Sequence, residues 1–252
     1  GGGMSVMDIM TVLYHKYLNI KVDDPQWEDR DRFIMSKGHA GIAYAPVLVD
    51  KGFNDPEQLK TFNLTNSKMG IHLDSNKVIG VDASTGSLGH GLSIALGTGL
   101  AARVLGKDYK TYCVLGDGEC DEGSVWEAAL QAHQFKLDNL VAIIDHNRMQ
   151  SLDFCENTLA LEPFGDKWRA FGWNTVTIDG HDMNAILDAI DALPAPDSDV
   201  PTVIIGKTVK GHGVSFMENN VSWHAGCVNE ADWIKAKAEI TEAYERKWGA
   251  EA

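Results

Sequence analysis

Two strand-like segments of this chain end in oxygen-bearing side chains that could share one hard cation. Tyr112-Cys113-Val114-Leu115 runs directly into Gly116-Asp117-Gly118-Glu119. Leu140-Val141-Ala142-Ile143-Ile144 runs into Asp145-His146-Asn147, so Asn147 follows Asp117 by thirty positions. Open α/β sheets bind ligands outside the carboxyl ends of their strands, and two neighbouring strands of this kind deliver both side chains to one place. A carboxylate, a side-chain amide oxygen and a nearby backbone carbonyl suit Mg²⁺, which completes its octahedron with water and phosphate oxygens. The glycines flanking Asp117 let the backbone approach a pyrophosphate closely and offer it N–H donors. Asp-Gly is also a common turn pair. Its position at a strand end therefore carries more weight than the tripeptide itself.

The elements that must position these groups form a regular alternation. Buried-type strands are expected at Thr111–Leu115, Leu140–Asp145, Asn174–Ile178 and Thr202–Ile205, separated by helical segments at Glu122–Phe135, Asp166–Phe171 and Met183–Leu193. This order predicts an α/β fold: a doubly wound, mostly parallel sheet with helices on both faces. Upstream, Val6, Ile9, Met10, Leu13, Tyr14, Tyr17 and Leu18 recur at helical spacing, and Pro25 with its charged neighbours ends that helix. Phe33-Ile34-Met35 is a short apolar stretch, Ser36-Lys37-Gly38-His39 a loop, and Ala40–Lys51 a second helix closed by Gly52. Residues 62 to 91 lack periodicity, and loops of that length are often functional. A charged amphipathic helix from about Ala231 to Trp248 ends the chain. The expectation is one domain over residues 1–252, with a helical extension from about 228.

The 252 residues are 44% hydrophobic, enough for a substantial core, and carry a formal net charge of -14. That charge disfavours nonspecific binding to nucleic acid or to anionic membranes. No apolar run is long enough to span a bilayer. Cys113, Cys120, Cys155 and Cys227 form no C-x-x-C pair, so reduced thiols in a cytoplasmic protein are expected. Gly97-Thr98-Gly99-Leu100-Ala101-Ala102 fits a loose dinucleotide fingerprint, but it lies in a helical run and follows no strand. His224-Ala225-Gly226-Cys227 lacks the partner pair of a zinc site.

Gly-Asp-Gly after one strand with Asn about thirty residues later resembles the thiamine-diphosphate motif, and the wider pattern resembles the transketolase family. The resemblance runs through Asp31-Arg32-Phe33-Ile34-Met35-Ser36-Lys37-Gly38-His39-Ala40, Ser84-Thr85-Gly86-Ser87-Leu88-Gly89 and Gly116-Asp117-Gly118-Glu119 with Glu122-Gly123-Ser124-Val125-Trp126-Glu127-Ala128. It continues through Trp168-Arg169-Ala170-Phe171-Gly172-Trp173 and Lys207-Thr208-Val209-Lys210-Gly211 to Trp223-His224. Such a resemblance implies a pyrophosphate-binding domain that holds thiamine diphosphate and Mg²⁺, with Ca²⁺ or Mn²⁺ as substitutes. It implies Asp117, Asn147 and the Met149 carbonyl as metal ligands, and Gly116, Gly118 and Glu119 beside the diphosphate. His39 and His224 would flank the reaction centre, Lys210 would add positive charge, and His72 would contact donor-sugar hydroxyls, in Gly-Ile-His-Leu where the family has Gly-His-Pro. A base among the three histidines would take the proton of a sugar hydroxyl. The backbone of Gly86, Ser87 and Leu88 would touch the aminopyrimidine, and Glu122 would face a subunit interface. His90 stands where the family has glutamine, His212 where a basic residue is common, and His181 is read as structural.

The glutamate that activates the cofactor in this family belongs to a pyrimidine-binding domain, and the sequence stops before one begins. The resemblance therefore implies the N-terminal subunit of a two-chain transketolase, completed by a C-terminal subunit in a dimer of heterodimers. The pair would act on sugar phosphates; the chain alone would not turn over. A 2-oxoacid decarboxylase or dehydrogenase subunit shares the metal motif but not the Ser-Lys-Gly-His-Ala and Trp-His loops. A noncatalytic scaffold would have no need of Asp117, Asn147, His39 and His224 in register.

Overall fold

The apolar strand residues sort by parity into two layers of one sheet. In the computed structural model, which describes residues 1–249, the strands are β1 (Arg32–Met35), β2 (Thr111–Gly116), β3 (Leu140–His146), β4 (Asn174–Asp179) and β5 (Thr202–Lys207). All pair in parallel, in the spatial order β1-β2-β3-β5-β4. Phe33, Met35, Tyr112, Val114, Val141, Ile143 and Ile204 join one core, while Ile34, Cys113, Leu115, Ala142, Ile144, Val203 and Ile205 join the other. Side chains alternate across a strand, so a strand covered on both sides needs apolar residues at every position. β3 meets this condition from Leu140 to Ile144, and all seven of its residues are buried, the polar Asp145 and His146 included.

The first layer is built from α1 (Met7–Val12), α2 (Gly41–Asp50) and α7 (Met183–Asp191), the second from α3 (His90–Leu105), α4 (Gly123–Gln134) and α6 (Phe164–Ala170). Asp182 caps α7 by accepting the N–H groups of Asn184 and Ala185. In the second layer Trp168 is fully buried and stacks edge-on to Trp173 at 5.1 Å between ring centroids. A short α5 (Cys155–Thr158) lies between β3 and α6. The last helix, α8 (Glu230–Trp248), is capped by Asn229 and buries none of its described residues. The expected extension reaches 252, and its last three residues lie outside the described ones.

Several boundaries differ from the sequence expectation, each for a local reason. The apolar stretch Phe33-Ile34-Met35 is the edge strand β1; at four residues it is too short for periodicity to declare it. The first helix passes into a π-helical turn at Leu13–Tyr17 and ends there, because Leu18 is already extended with ψ 120°. It does not run on toward Pro25. Helix α6 starts at Phe164 rather than Asp166, directly after Pro163, and α7 stops at Asp191. The segment read as a loop through His39 contains a 3₁₀ turn at Gly38–Ala40. Residues 62 to 89 form turns and bends without a regular element, as their composition implied, and His90 opens α3.

Register sets the stage for the site. Met35 pairs with Val114, Gly116 with Asp145, and Asp145 with Gly206. The carboxyl ends of β1, β2, β3 and β5 thus reach one level, and the loops carrying His39, Asp117, Asn147 and Lys210 leave from it.

Candidate active site

A buried ion pair lies beneath these loops. The Lys37 ammonium, from the loop after β1, bonds the Asp145 carboxylate at the end of β3, and both side chains are almost wholly buried. Ser5 donates its hydroxyl to the same carboxylate at 2.6 Å, Thr208 donates to its other oxygen, and Lys37 also reaches the Gly2 carbonyl at 3.1 Å. Burial alone would push the Asp145 carboxyl up, but Lys37 and the two hydroxyls hold it below the usual carboxylate range. A buried pair repays its desolvation only when such extra hydrogen bonds satisfy it.

A second buried carboxylate braces the neighbouring loops. Glu119 accepts hydrogen bonds from the Ser36 hydroxyl, from Gly89 N–H at 2.9 Å and from Gly116 N–H at 3.0 Å. Gly89 takes the left-handed conformation at φ 83°, and a Cβ there would stand 2.6 Å from that of Glu122. Only glycine fits that approach.

Above these braces lies a cluster of hard oxygens. Asp117, Asn147 and Met149 are 1%, 5% and 3% exposed. Asp117 accepts from Gly118 N–H at 2.8 Å and from Arg148 N–H, while Asn147 Oδ1 accepts from Met149 N–H at 3.1 Å. Between the two ligand candidates Arg148 sits at φ 63°, a conformation costing a non-glycine residue on the order of 1 kcal/mol. Strain of this kind persists where the surroundings fix it, often at functional sites. Burial and the nearby Asp145 charge push the Asp117 carboxyl up to about 7. Among the described residues no lysine or arginine lies within ion-pairing distance of it; His146 Nε2 is 4.0 Å away. A buried carboxylate without a counter-charge, beside an amide oxygen and a backbone carbonyl, fits a divalent cation.

A cavity of about 150 Å³ opens over this cluster, and Lys37, His39, Leu88, Gly118, Lys210 and His224 are among its walls. Lys210, 1% exposed, donates to the Met149 carbonyl at 3.1 Å and meets His224 Nδ1 at 2.7 Å. Burial, with Lys37 nearby, lowers its ammonium to about 8. His39 and His224 face each other at 5.5 Å. Burial and the lysine charges push them down to about 3 and about 4, so both rings are neutral at pH 7.

Of the residues singled out from the sequence, Gly116, Asp117, Gly118, Glu119, Asn147, Met149, Lys210, His39, His224 and Leu88 border this one cavity. Glu119 meets it with a carboxylate already engaged by Ser36, Gly89 and Gly116. His72 is exposed and stands against Gly86, where a Cβ would lie 2.9 Å from its ring. Ser87 and His90 are exposed in the turn into α3, and Glu122 is exposed at the start of α4. Sequence reasoning missed Ser5, Lys37, Asp145 and Thr208 as a network. The available signal was an aspartate ending a fully apolar strand, which demands a buried partner.

Comparison with known proteins places this geometry among relatives. The family model described as "Transketolase, thiamine diphosphate binding domain" matches residues 1–247. The chain is 38% identical over 240 residues to a 6-deoxy-6-sulfo-D-fructose transketolase subunit of Clostridium sp. (strain MSTE9), covering 95% of this chain and 87% of the relative. It is 39% identical over 246 residues to an apulose-4-phosphate transketolase subunit of Phocaeicola vulgatus, with 98% and 87% covered. The crystal structure of Campylobacter jejuni transketolase superposes with a TM-score of 0.88 at 30% identity; the match covers 95% of this chain and 38% of that one.

Two outcomes test the electrostatics. Lys37→Met strands the Asp145 carboxylate and should cost about 3–5 kcal/mol in urea denaturation at neutral pH. A loss below about 1 kcal/mol would show the pair to be dispensable. Asp117 has its folded pKa raised from 3.8 to about 7, so its contribution is fully present below the unfolded value and is lost as pH rises through the folded one. In chelator, wild type should therefore lose stability relative to Asp117→Asn between about pH 4 and pH 7. His39 and His224 act in the opposite sense over that window, so the difference between the two proteins is the quantity to measure.

Proposed function

The chain belongs to the transketolase family, through its thiamine-diphosphate-binding domain, and on that premise we propose that it is the diphosphate-binding subunit of a two-chain transketolase. The oxygen cluster at the strand ends carries this reading, with two neutral histidines and a buried lysine around it. The enzyme would move a two-carbon ketol unit from an anionic ketose to an aldose. Asp117, Asn147 and the Met149 carbonyl would hold Mg²⁺, and the diphosphate would lie in the cavity beside Gly118, Lys210 and His224; the N–H groups of Gly116 and Gly118, expected from the sequence to donate to it, are already taken by Glu119 and Asp117. Thiamine diphosphate, when bound, supplies the electron sink for carbon–carbon bond cleavage.

The chain's own groups would orient the sugar and handle its protons. His39 and His224 are uncharged at neutral pH, so either ring can accept a proton from a donor-sugar hydroxyl. His72, beside Gly86, would sit further out, toward the sugar. Lys210, held on the Met149 carbonyl and His224, would add positive charge beside the diphosphate. The backbone of Gly86, Ser87 and Leu88 would meet the aminopyrimidine, and Glu122 would face the subunit interface. The relatives act, by their names, on a sulfonated and on a phosphorylated ketose. A substrate with an anionic tail is therefore proposed here, the tail being read by a partner subunit in a dimer of heterodimers. No helix among the described residues is long and apolar enough to cross a membrane, which accords with work in the cytoplasm.

With the partner chain, Mg²⁺ and thiamine diphosphate, ketol transfer to an aldose acceptor should be measurable; without the partner it should be absent. Asp117→Ala should abolish the Mg²⁺-dependent rise in melting temperature caused by the cofactor. Release of CO₂ from a 2-oxoacid with no ketol transfer would sink the assignment.

A further inference from the structure

The ladder of the sheet ends just short of the site, and a side chain continues it. Gly180 N–H to the Lys207 carbonyl, at 2.8 Å, is the last rung between β4 and β5, and Thr208 N–H to the His146 carbonyl, at 3.1 Å, is the last toward β3. The next amide along, Val209 N–H, has no strand opposite it. It donates instead to His181 Nε2 at 2.9 Å. A ring nitrogen that accepts carries no proton, so in the neutral ring the proton is on Nδ1. There it is donated to Asp8 Oδ2, in the first turn of α1, at 2.7 Å. His212 N–H returns to the Val209 carbonyl at 3.1 Å, and the His212 ring stacks on that of His181 at 3.6 Å with 16° between planes. Both ends of residue 209 are held, and Lys210 is the next residue.

We infer that His181 is a positioning residue: Asp8 fixes its tautomer, its Nε2 holds the Val209 peptide group, and Lys210 is thereby kept on the Met149 carbonyl and His224. The inference deepens the functional reading above and rests on it. The ligand atoms of Asp8, His181 and His212 also lie within 4.8 Å of one another. A cation on His181 Nδ1 would, however, move the ring proton to Nε2 and set it against the Val209 N–H, donor to donor. The hydrogen bonds therefore favour a positioning role over a metal site: with Nδ1 held by a carboxylate, the ring's tautomer and direction are set for the amide that Nε2 accepts.

The test uses the full chain assembled with its partner subunit. His181→Leu should weaken binding of Mg²⁺–thiamine diphosphate about tenfold, with fast hydrogen exchange at the Val209 amide. His181→Gln, whose amide oxygen can accept the Val209 N–H, should restore most of both. In wild type at pH 7, ¹⁵N spectra should show a protonated Nδ1 and a bare Nε2, a measurement that needs no variant to fold. The inference is overturned by the opposite tautomer, by a folded leucine variant with wild-type affinity, or by a glutamine variant no better than leucine. Should wild type fail to bind the cofactor at all, the functional reading falls; the tautomer and the amide exchange still decide this one.

Discussion

The Lys37–Asp145 pair is the constraint on which the site depends. Three strand ends and the segment leading into α1 meet on this one pair: β1 through Lys37, β3 through Asp145, β5 through Thr208 on the carboxylate, and the first residues through Ser5 on the carboxylate and the Gly2 carbonyl on the ammonium. In a low-dielectric interior a charge so placed tolerates only one arrangement of its partners, because any vacancy leaves an uncompensated ion. The pair thereby converts the parallel register of β1, β2, β3 and β5 into a fixed level for the loops above. It also dictates the electrostatics there. With Lys37 committed to Asp145, Asp117 has no lysine or arginine within ion-pairing distance among the described residues, and the Asp145 charge helps to raise its carboxyl.

That arrangement explains why the protein carries costly features in one small volume. An apolar replacement of Asp117 would spare the folded chain a desolvated carboxylate. Arg148 would not need a left-handed backbone if the turn from Asn147 to Met149 served no purpose. The cationic side is arranged with the same tension. Lys210 is buried against a carbonyl and a neutral imidazole, so its charge is weakly balanced until an anion arrives. A cation at Asp117 and an anion near Lys210 would each offset a charge that burial makes costly.

Much of this was legible in the sequence. Strands β2, β3 and β5 announced themselves as apolar runs ending in chemistry, and the placement of Asp117 and Asn147 followed from strand order; β4, expected to be of buried type, is instead an edge strand whose residues are half-buried or exposed. β1 was not legible, since four residues carry no period and their burial comes from pairing with β2. Nor was the Lys37 network, because Ser5, Lys37, Asp145 and Thr208 are brought together only by the register of three strands. His181 shows the same limit. The sequence reads His181 as structural, and only the end of the β4–β5 ladder reveals which amide the imidazole accepts.

The residues that would do chemistry and the residues that hold them are physically different populations. His39, Asn147, Lys210 and His224 all sit on loops, which by themselves could not fix side chains to the tolerance that catalysis requires. The loops of the first three are pinned by polar side chains from elsewhere in the fold: Glu119 fastens the turns at Ser36 and Gly89, Asp117 the Arg148 turn, and His181 the Val209 peptide. Apolar contacts could not replace these pins, because packing is nondirectional and tolerates volume-conserving rearrangement. A hydrogen bond to a specific amide does not. The buried polar groups are thus the means by which a sheet stabilised mainly by nondirectional burial acquires a directional site at its edge.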